Sequence, residues 1–288
     1  MAAQAVDPGR FSFPVTSEFY ICFMYNRFQL AKKYIHYYAT ASNGMGHGIH
    51  SPFVFDFIKN VLNDKRTFYS YEKIESLRQR LLNDKTVLNV DDFGAGSAVS
   101  STKERTISSI ARNAAKSPKL SQLLFRIVNY YRPETVLELG TSLGISSAYM
   151  AAAAPTAKVI TVEGASSVAK AAKDHHRLLQ LNNIDLRTGN FDDLLPLVLQ
   201  ELNTVDLAFI DGNHRYGPTK KYFEQIFTKV SSRSILIFDD IHWSIEMENA
   251  WKFIKEHEAV KATIDLFFIG IVFFDDAFKS KQQFIIRF

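Results

Sequence analysis

Short apolar runs alternate with helical patterns through the second half of the chain, and this alternation constrains the fold more than any other feature. After Pro118 the runs rich in β-branched and aromatic residues are TVLEL, KVITVE, NIDLR, DLAFID and SILIFDD. Helical patterns separate them at residues 146–153, 166–181, 191–202 and 219–230. Apolar strands joined by helices are typical of a mostly parallel sheet covered on both faces. We therefore predict an α/β fold with a Rossmann-like, doubly wound sheet.

The alternation stops near the C terminus. ATIDLFFIGIVFF and QQFIIRF are two strand-like runs joined by DDAFKSK, with no helical pattern between them. Strands connected without a crossover helix usually pair antiparallel. We therefore predict an antiparallel C-terminal strand pair at one side of the sheet.

The first part of the chain has a different pattern. Apolar residues recur at helical spacing in residues 26–41, 52–62 and 71–82, and Ser51 before Pro52 is a typical helix start. We predict a leader and helical cap or lid over residues 1–118 and one α/β domain over residues 119–288. The first residues show no clear period, so Met24 as well as Met1 fits a translation start.

Composition excludes several classes of protein. The net charge is only +4, and dense stripes of Lys and Arg are missing from the sequence, so we expect no nucleic-acid partner. The single cysteine, Cys22, rules out an intramolecular disulfide and fits a reducing compartment. An apolar run of the ~20 residues that span a bilayer is missing. We therefore expect a cytoplasmic protein without a membrane span, and a homodimer stays open.

Two glycine loops compete as the cofactor site. In an open α/β sheet an acidic residue about 20 positions past the glycines, at the tip of the next strand, holds ribose hydroxyls. VLELGTSLG meets this condition, because Glu163 ends the next strand 19 residues beyond Gly144. DDFGAGS, residues 91–97, does not meet this condition. The residue about 20 positions past its last glycine is Lys116, which is basic and not acidic. We predict that DDFGAGS belongs instead to a lid or acceptor pocket.

The chosen loop favours a cationic ligand. It lacks the G-x-G-x-x-G spacing of pyrophosphate sites, and Glu138 stands just before its first glycine, Gly140. S-adenosylmethionine (SAM) carries an ammonium, a sulfonium and a ribose but no phosphate, so Glu138 and Glu163 suit SAM better than NAD. The alternative is a glycine turn that only reverses the chain, with Glu163 solvated.

Four segments together resemble a known family. VLELGTSLGISSAYMA, ITVEGA, IDGNHRY and LIFDDIHW resemble class I SAM-dependent methyltransferases, and among them the small-molecule O-methyltransferases of the catechol and caffeoyl-CoA type. The resemblance covers residues 119–288. HGIHSPFVFDFI and DFGAGS resemble an uncharacterised bacterial group of such methyltransferases.

The resemblance implies roles for individual residues. Gly140 and Gly144 would shape the methionine pocket, and Ser146 would bind the methionine carboxylate at a helix N terminus, which also suits an anion on physical grounds. Glu163 would bind the ribose, and the segment GNFDD would contact adenine or form an ordinary loop. The predicted SAM-binding residues are Glu138, Gly140, Thr141, Ser142, Gly144, Ser146, Glu163, Asn190, Phe191, Asp192 and Asp211.

Three carboxylates follow two predicted strands. Asp211 ends DLAFI, and Asp239 with Asp240 ends SILIF, so all three should lie along one edge of the sheet. Converging oxygen ligands suit Mg²⁺ or another divalent cation. The resemblance implies an ion here that holds the acceptor hydroxyls, although the family usually has asparagine where Asp240 stands. The alternative for Asp240 is a helix cap or an ion pair.

Two histidines are candidate bases. His214 lies three residues after Asp211, where the catechol-type enzymes carry a catalytic lysine, and His242 lies two residues after Asp240. Both histidines also fit a structural role. We predict methyl transfer from SAM to an oxygen, or less readily a nitrogen, of a small-molecule acceptor.

The alternative functions are a catalytically silent SAM-binding protein and an N-methyltransferase acting on a macromolecule. Enzymes that methylate DNA amino groups carry an Asp/Asn-Pro-Pro-aromatic motif at the place where this chain has IDGNHRY. This difference weakens the alternative of a macromolecular N-methyltransferase. An NAD-dependent oxidoreductase is disfavoured by the missing phosphate loop.

Overall fold

The computed structural model describes residues 24–90 and 104–288, and the first part of this chain is mostly helical. Ser51 caps the second helix as predicted, because its side chain accepts a hydrogen bond from the backbone N–H of Val54 and Pro52 takes the first helical position. The elements of this part are α1 (Arg27–Thr40), α2 (Pro52–Phe57), a π-helical turn (Ile58–Leu62), α3 (Tyr69–Asn83), β1 (Val87–Asn89), β2 (Glu104–Thr106) and α4 (Ile107–Asn113).

Strands β1 and β2 pair antiparallel as a separate two-stranded sheet. The segment DDFGAGS follows β1 in the chain and lies outside the described residues. Because β1 takes no part in the large sheet, DDFGAGS does not follow one of its strands. The predicted lid role of this segment stays a prediction.

Strands and helices alternate through the rest of the chain, as the sequence predicts. The elements are α5 (Pro118–Tyr131), β3 (Thr135–Leu139), α6 (Ile145–Ala153), β4 (Lys158–Glu163), α7 (Ser166–Leu178), β5 (Ile184–Thr188), α8 (Phe191–Glu201), β6 (Leu207–Ile210), α9 (Tyr216–Phe227), β7 (Ile235–Asp239), α10 (Ile245–Glu256), β8 (Ala262–Asp265), β9 (Ile269–Phe273) and β10 (Gln282–Ile285).

Eight of these strands form one sheet in the order β10-β8-β9-β7-β6-β3-β4-β5. Strands β3 to β7 pair in parallel, which confirms the predicted doubly wound, mostly parallel sheet. The strand order reverses at β3, which has β4 on one side and β6 on the other. Ligands of such sheets bind outside the carboxyl ends of the strands at this switch point.

The C-terminal strands include an antiparallel pair, but its partners differ from those predicted. ATIDLFFIGIVFF forms two strands, β8 and β9, which pair antiparallel as a hairpin. QQFIIRF contributes β10, which pairs in parallel with β8. The hairpin turn runs through Phe267, whose φ of 70° is left-handed. An apolar residue at that turn carries no sequence signal for chain reversal, since such turns usually use Gly or Asn.

Apolar residues cover both faces of the large sheet. On one face Phe57 of α2 and Leu123 of α5 belong to a core that also includes β3 and β6 residues. On the other face Leu195 of α8, Phe223 of α9 and Trp251 of α10 form the second core. This double burial explains why the strands read as continuous apolar runs.

Helix α1 packs on the sheet near the β8–β9 turn. The ring of Tyr37 on α1 packs against the ring of Phe267 at an interplanar angle of 47°, and its hydroxyl donates a hydrogen bond to the carbonyl oxygen of Ile286. Residues on both sides of the predicted boundary at 118 are thus in direct contact, and the division into a cap and a domain stays a prediction. Within the described residues no helix is both long and apolar enough to cross a membrane.

Candidate active site

The loop between β3 and α6 requires glycine at two positions. Gly140 has a φ of 102°, and a Cβ added there would collide with the carbonyl oxygen of Asp211. Gly144, the N-cap of α6, has a φ of 81°, and its Cβ would collide with the imidazole of His176. Only glycine adopts these dihedrals without strain and leaves room for the neighbouring atoms. The loop therefore lies directly against the chain that leaves β6.

Glu138, the residue two positions before Gly140, forms a buried hydrogen-bond network beneath the loop, between β3, β4 and α6. Its side chain is fully buried, and it accepts hydrogen bonds from Ser146 Oγ and, at 2.6 Å, from Thr161 Oγ1. Burial raises the pKa of Glu138 to about 7, although the two hydroxyl donors oppose this shift. Thr141 joins the same network through its hydroxyl, which lies 2.5 Å from Thr161 Oγ1.

This network changes how two predicted SAM ligands would act. Because Glu138 is buried and paired, it holds the loop in shape rather than facing an open surface. The hydroxyl of Ser146 is directed at Glu138, so a ligand anion at this helix end would have to be met by backbone N–H groups of the first turn of α6.

Glu163 lies where the sequence analysis predicted, at the carboxyl end of β4. Its carboxylate accepts hydrogen bonds from the backbone N–H of Ser142 at 2.8 Å and of Ala165 at 3.0 Å. These bonds fix the carboxylate beside the glycine loop. Each carboxylate oxygen can accept more than one hydrogen bond, so ribose hydroxyls remain compatible with this arrangement.

The GNFDD segment is split between two environments. The side chain of Asn190 accepts a hydrogen bond from the backbone N–H of Asp192 and caps α8. The ring of Phe191 lies against Gly212, where an added Cβ would collide with it, so this ring borders the loop after β6. Asp192 is exposed and pairs with Lys221 at 3.2 Å. Of the three, Phe191 is the residue whose side chain is seen to contact the loop after β6.

Acidic groups converge at the carboxyl ends of β6 and β7. Ligand atoms of Asp211, His214 and Asp239 all lie within 4.8 Å of one another. Asp240, the third predicted metal ligand, is not a member of this group; its backbone has a φ of 53° and its N–H donates to the carbonyl oxygen of Phe268 at 2.7 Å. The third member of this group is therefore His214 and not the predicted Asp240.

Burial makes the carboxyl groups at the ends of β6 and β7 weaker acids. Burial raises the pKa of Asp239 to about 7, with the charge of Asp211 adding to the shift and Lys116 opposing it. Burial and the charge of Asp239 raise the pKa of Asp240 to about 6. The pKa of Asp211 is raised by burial against the opposing charge of Lys116. Such crowding of carboxyl groups is stable only with a cation or bound protons nearby.

Lys116 supplies that cation, and the sequence analysis did not assign it to the site. Its Nζ lies 3.0 Å from Asp211 Oδ1 and forms an ion pair and hydrogen bond with Asp239 Oδ2. Burial disfavours the ammonium ion, but the charges of Asp211, Asp239 and Asp240 outweigh that cost and raise the pKa of Lys116. The one sequence signal was the basic residue just before the Ser117-Pro118 helix start.

A divalent ion does not fit this arrangement with Lys116 in place. An ion bridging Asp211 and Asp239 would share their oxygens with an ammonium that already contacts both carboxylates. Two cations at that distance repel each other strongly in a buried environment. The predicted metal set of Asp211, Asp239 and Asp240 is therefore not supported by the geometry.

The two candidate bases have opposite environments. His214 Nε2 lies 3.6 Å from Asp211 Oδ1, and burial lowers the pKa of His214. His242 is held between Glu248 at 3.1 Å and Asp265 at 2.8 Å. Burial opposes its charge, but these hydrogen bonds raise the pKa of His242 to about 9. A histidine that is already protonated at neutral pH cannot accept a proton, so His242 does not fit the predicted base role.

A family model matches the central part of the chain. Residues 137–241, which include the glycine loop and the acidic cluster, match a family model described as a methyltransferase domain. The chain is 28% identical over 128 residues to a catechol O-methyltransferase of Niastella koreensis, covering 43% of this chain and 57% of that protein. It is 33% identical over 104 residues to a transmembrane O-methyltransferase homolog of Mus musculus, covering 34% and 40%. The chain thus spans about half the length of these relatives.

Solved structures show the same fold at low sequence identity. An O-methyltransferase from Bacillus cereus in complex with SAH superposes with a TM-score of 0.51 at 18% identity, covering 77% of this chain and 97% of that one. An SAH-bound methyltransferase from Podospora anserina gives a TM-score of 0.55 at 12% identity, with 78% and 97% coverage. The predicted resemblance to SAM-dependent O-methyltransferases is confirmed: residues 137–241 match the methyltransferase-domain model, and the sheet has the fold of these solved methyltransferases.

Proposed function

We propose that this chain transfers a methyl group from SAM to an oxygen of a small-molecule acceptor. The observation that carries the proposal is the placement of Glu163, whose carboxylate is fixed beside the glycine loop at the sheet's switch point. A carboxylate there suits ribose hydroxyls, and the missing phosphate loop disfavours a dinucleotide. The relatives that carry the name O-methyltransferase support oxygen as the target.

The acceptor would bind at the group formed by Asp211, His214 and Asp239, at the carboxyl ends of β6 and β7. SAM supplies a methyl group that is electrophilic because its sulfur is positively charged. The acceptor oxygen forms the new C–O bond as the C–S bond breaks, and that electron pair stays on sulfur. We assign the hydroxyl proton to His214, whose Nε2 lies 3.6 Å from Asp211 Oδ1 and whose pKa is lowered by burial. Positioning supplies most of the acceleration in such a displacement.

Binding of SAM is tested by thermal unfolding. SAM, its demethylated product and NAD are each titrated separately, because a ligand that binds only the native state raises the melting temperature. We expect SAM to raise it by roughly 5 °C at about 100 times its Kd, and NAD to leave it unchanged. A shift with NAD alone would contradict the proposal.

Glu163→Ala tests the ribose assignment in the same assay. We expect this variant to lose most of the SAM response, while Glu256→Ala, an exposed glutamate at the end of α10, keeps it. A full shift with Glu163→Ala would show that another group holds the ribose.

Turnover separates the enzyme from a silent SAM-binding protein. Candidate acceptors with phenolic, catecholic or aliphatic hydroxyls, and amines as the comparison class, are incubated with SAM that carries a labelled methyl group. Label that enters an oxygen acceptor supports the proposal. Label that enters only amines contradicts the oxygen target, and SAM binding without labelling of any acceptor supports the silent alternative.

A further inference from the structure

The position of Lys116 is not explained by its local sequence. It follows α4 and precedes the N-cap Ser117, yet its side chain reaches the carboxyl ends of β6 and β7. Only 14% of this side chain is exposed. A buried lysine is stable only when it is paired, and Asp211 and Asp239 provide the partners.

The contacts of Nζ match those expected of a bound cation. It touches one oxygen of each carboxylate, so two of its three N–H groups are engaged within the described part of the chain. The other oxygen of Asp239, Oδ1, is buried and has no hydrogen-bond partner among the described residues. Within the described residues the third N–H of Nζ is therefore left to donate to an oxygen of a ligand.

We propose that the ammonium of Lys116 takes the place of a divalent metal in this site and holds the oxygen that is methylated. The inference rests on the proposed function for the identity of the acceptor, but its electrostatic part concerns only Lys116, Asp211 and Asp239. The third N–H of Lys116 donates to the acceptor oxygen, and the single proton of the acceptor hydroxyl points to His214. Lys116 keeps its protons throughout, and the hydroxyl proton leaves to His214.

A fixed ammonium explains the geometry better than a metal would. It is covalently attached, so it needs no coordination sphere completed by water, and its Nζ already contacts both Asp211 and Asp239. Lysine binds as a compact point charge with three donors, which allows one donor to point at substrate while two hold carboxylates.

Binding of Mn²⁺, followed by electron paramagnetic resonance and calorimetry, tests this assignment without any need for turnover. We expect the full-length wild-type protein to show no saturable Mn²⁺ binding at the cluster. Lys116→Met removes the ammonium and leaves the carboxylates and His214, so we expect Mn²⁺ affinity to rise by about 100-fold or more. Lys116→Arg keeps the charge and should not gain the site.

Matched variants locate the metal that binds. Lys119→Met changes an exposed lysine on the first turn of α5, three residues after Lys116, and should behave like wild type. The double variant Lys116→Met/Asp239→Asn should lose the Mn²⁺ site again. Tight Mn²⁺ binding by the wild type that Asp239→Asn abolishes would overturn the proposal, and so would a folded Lys116→Met protein that binds no Mn²⁺.

The test also holds if Lys116→Met does not fold, because the wild-type titration and its Asp239→Asn control still decide between ammonium and metal. The SAM-induced thermal shift is measured on the same samples. Absence of that shift would refute the proposed function, whereas Mn²⁺ binding by the wild type would refute only the role of Lys116.

Once an acceptor is found, turnover should survive EDTA in the wild type and fall at least about 100-fold in Lys116→Met, with partial recovery on adding Mn²⁺.

Discussion

The guanidinium of Arg78 donates a hydrogen bond to the backbone carbonyl oxygen of Lys116 at 2.6 Å. Arg78 lies on α3 and is buried, and its Nε pairs with Glu75 at 2.9 Å. Glu75 in turn accepts a hydrogen bond from the hydroxyl of Tyr149 on α6 at 2.7 Å. A series of polar contacts thus connects α6, the helix after the glycine loop, to Lys116.

Arg78→Met should destabilise the protein. The change leaves the carboxylate of Glu75 and the carbonyl of Lys116 without their charged donor, which costs about 3 kcal/mol for a buried pair that loses one partner. Urea unfolding of both proteins at pH 7 measures the difference in the free energy of unfolding. Arg80→Met, an exposed arginine on the same helix, should change it by less than about 0.5 kcal/mol. Equal effects of the two variants would show that Arg78 does not stabilise this region specifically.

Local patterns were enough to predict most of the sheet. The strands around Glu163 and Asp211 are buried on both faces and therefore carry continuous apolar runs, which sequence alone shows. The β8–β9 hairpin was missed because its turn contains Leu266, Phe267 and Phe268 rather than turn-forming residues. The apolar side chain of Phe267 is buried against α1, so tertiary packing rather than local preference stabilises that turn.

The site was only partly predictable for a related reason. Glu163, Asp211 and Asp239 end strands of one sheet, so the parallel topology brings them to one edge. Lys116 joins them from 123 residues before Asp239, with no strand or motif to connect the two positions. His242 was a plausible base by spacing, but the partner that raises its pKa, Asp265, comes from β8 and is invisible in the local sequence.

Glu138→Gln should flatten the pH dependence of stability. The pKa of Glu138 is raised from 4.5 to about 7 in the folded protein, so the folded state binds this proton more tightly than the unfolded state. The resulting stability is present below about pH 4.5 and is lost as pH rises through about 7. Glutamine resembles the protonated acid, so the variant should avoid a loss of up to about 3 kcal/mol between pH 5 and 8.

Urea unfolding at several pH values from 5 to 8 checks this expectation. The matched control is Glu134→Gln, an exposed glutamate four residues away, which should follow the wild-type curve. Parallel curves for Glu138→Gln and wild type would mean that Glu138 titrates alike in the folded and unfolded states.

Gly140→Ala should be strongly destabilising. Alanine at a φ of 102° is strained, and its Cβ would collide with the carbonyl oxygen of Asp211, so we expect a loss of about 3 kcal/mol or more. Two alanine variants separate the causes. Gly48 has a φ of 80° but open space around it, and Gly217 has open space and no left-handed dihedral. Thermal and urea unfolding should rank the losses Gly140, then Gly48, then Gly217; a Gly140→Ala protein as stable as Gly48→Ala would show that the β3 and β6 loops can separate without cost.

His242 should stabilise the fold through its charge, with a pH dependence opposite to that of a catalytic base. Its pKa is raised from 6.5 to about 9 in the folded protein, because the hydrogen bonds to Asp265 and Glu248 outweigh the effect of burial. The stability that it contributes is fully present below about pH 6.5 and is lost as pH rises through about 9. The shift corresponds to at most about 3 kcal/mol.

The free energy of unfolding of wild type should therefore exceed that of His242→Gln at pH 6, and this excess should shrink by about that amount at pH 10. His36→Gln, an exposed histidine on α1, serves as the control and should show no such change between the two pH values. A difference between wild type and His242→Gln that stays constant from pH 6 to 10 would mean that His242 titrates alike in the folded and unfolded states, and it would restore His242 as a candidate base.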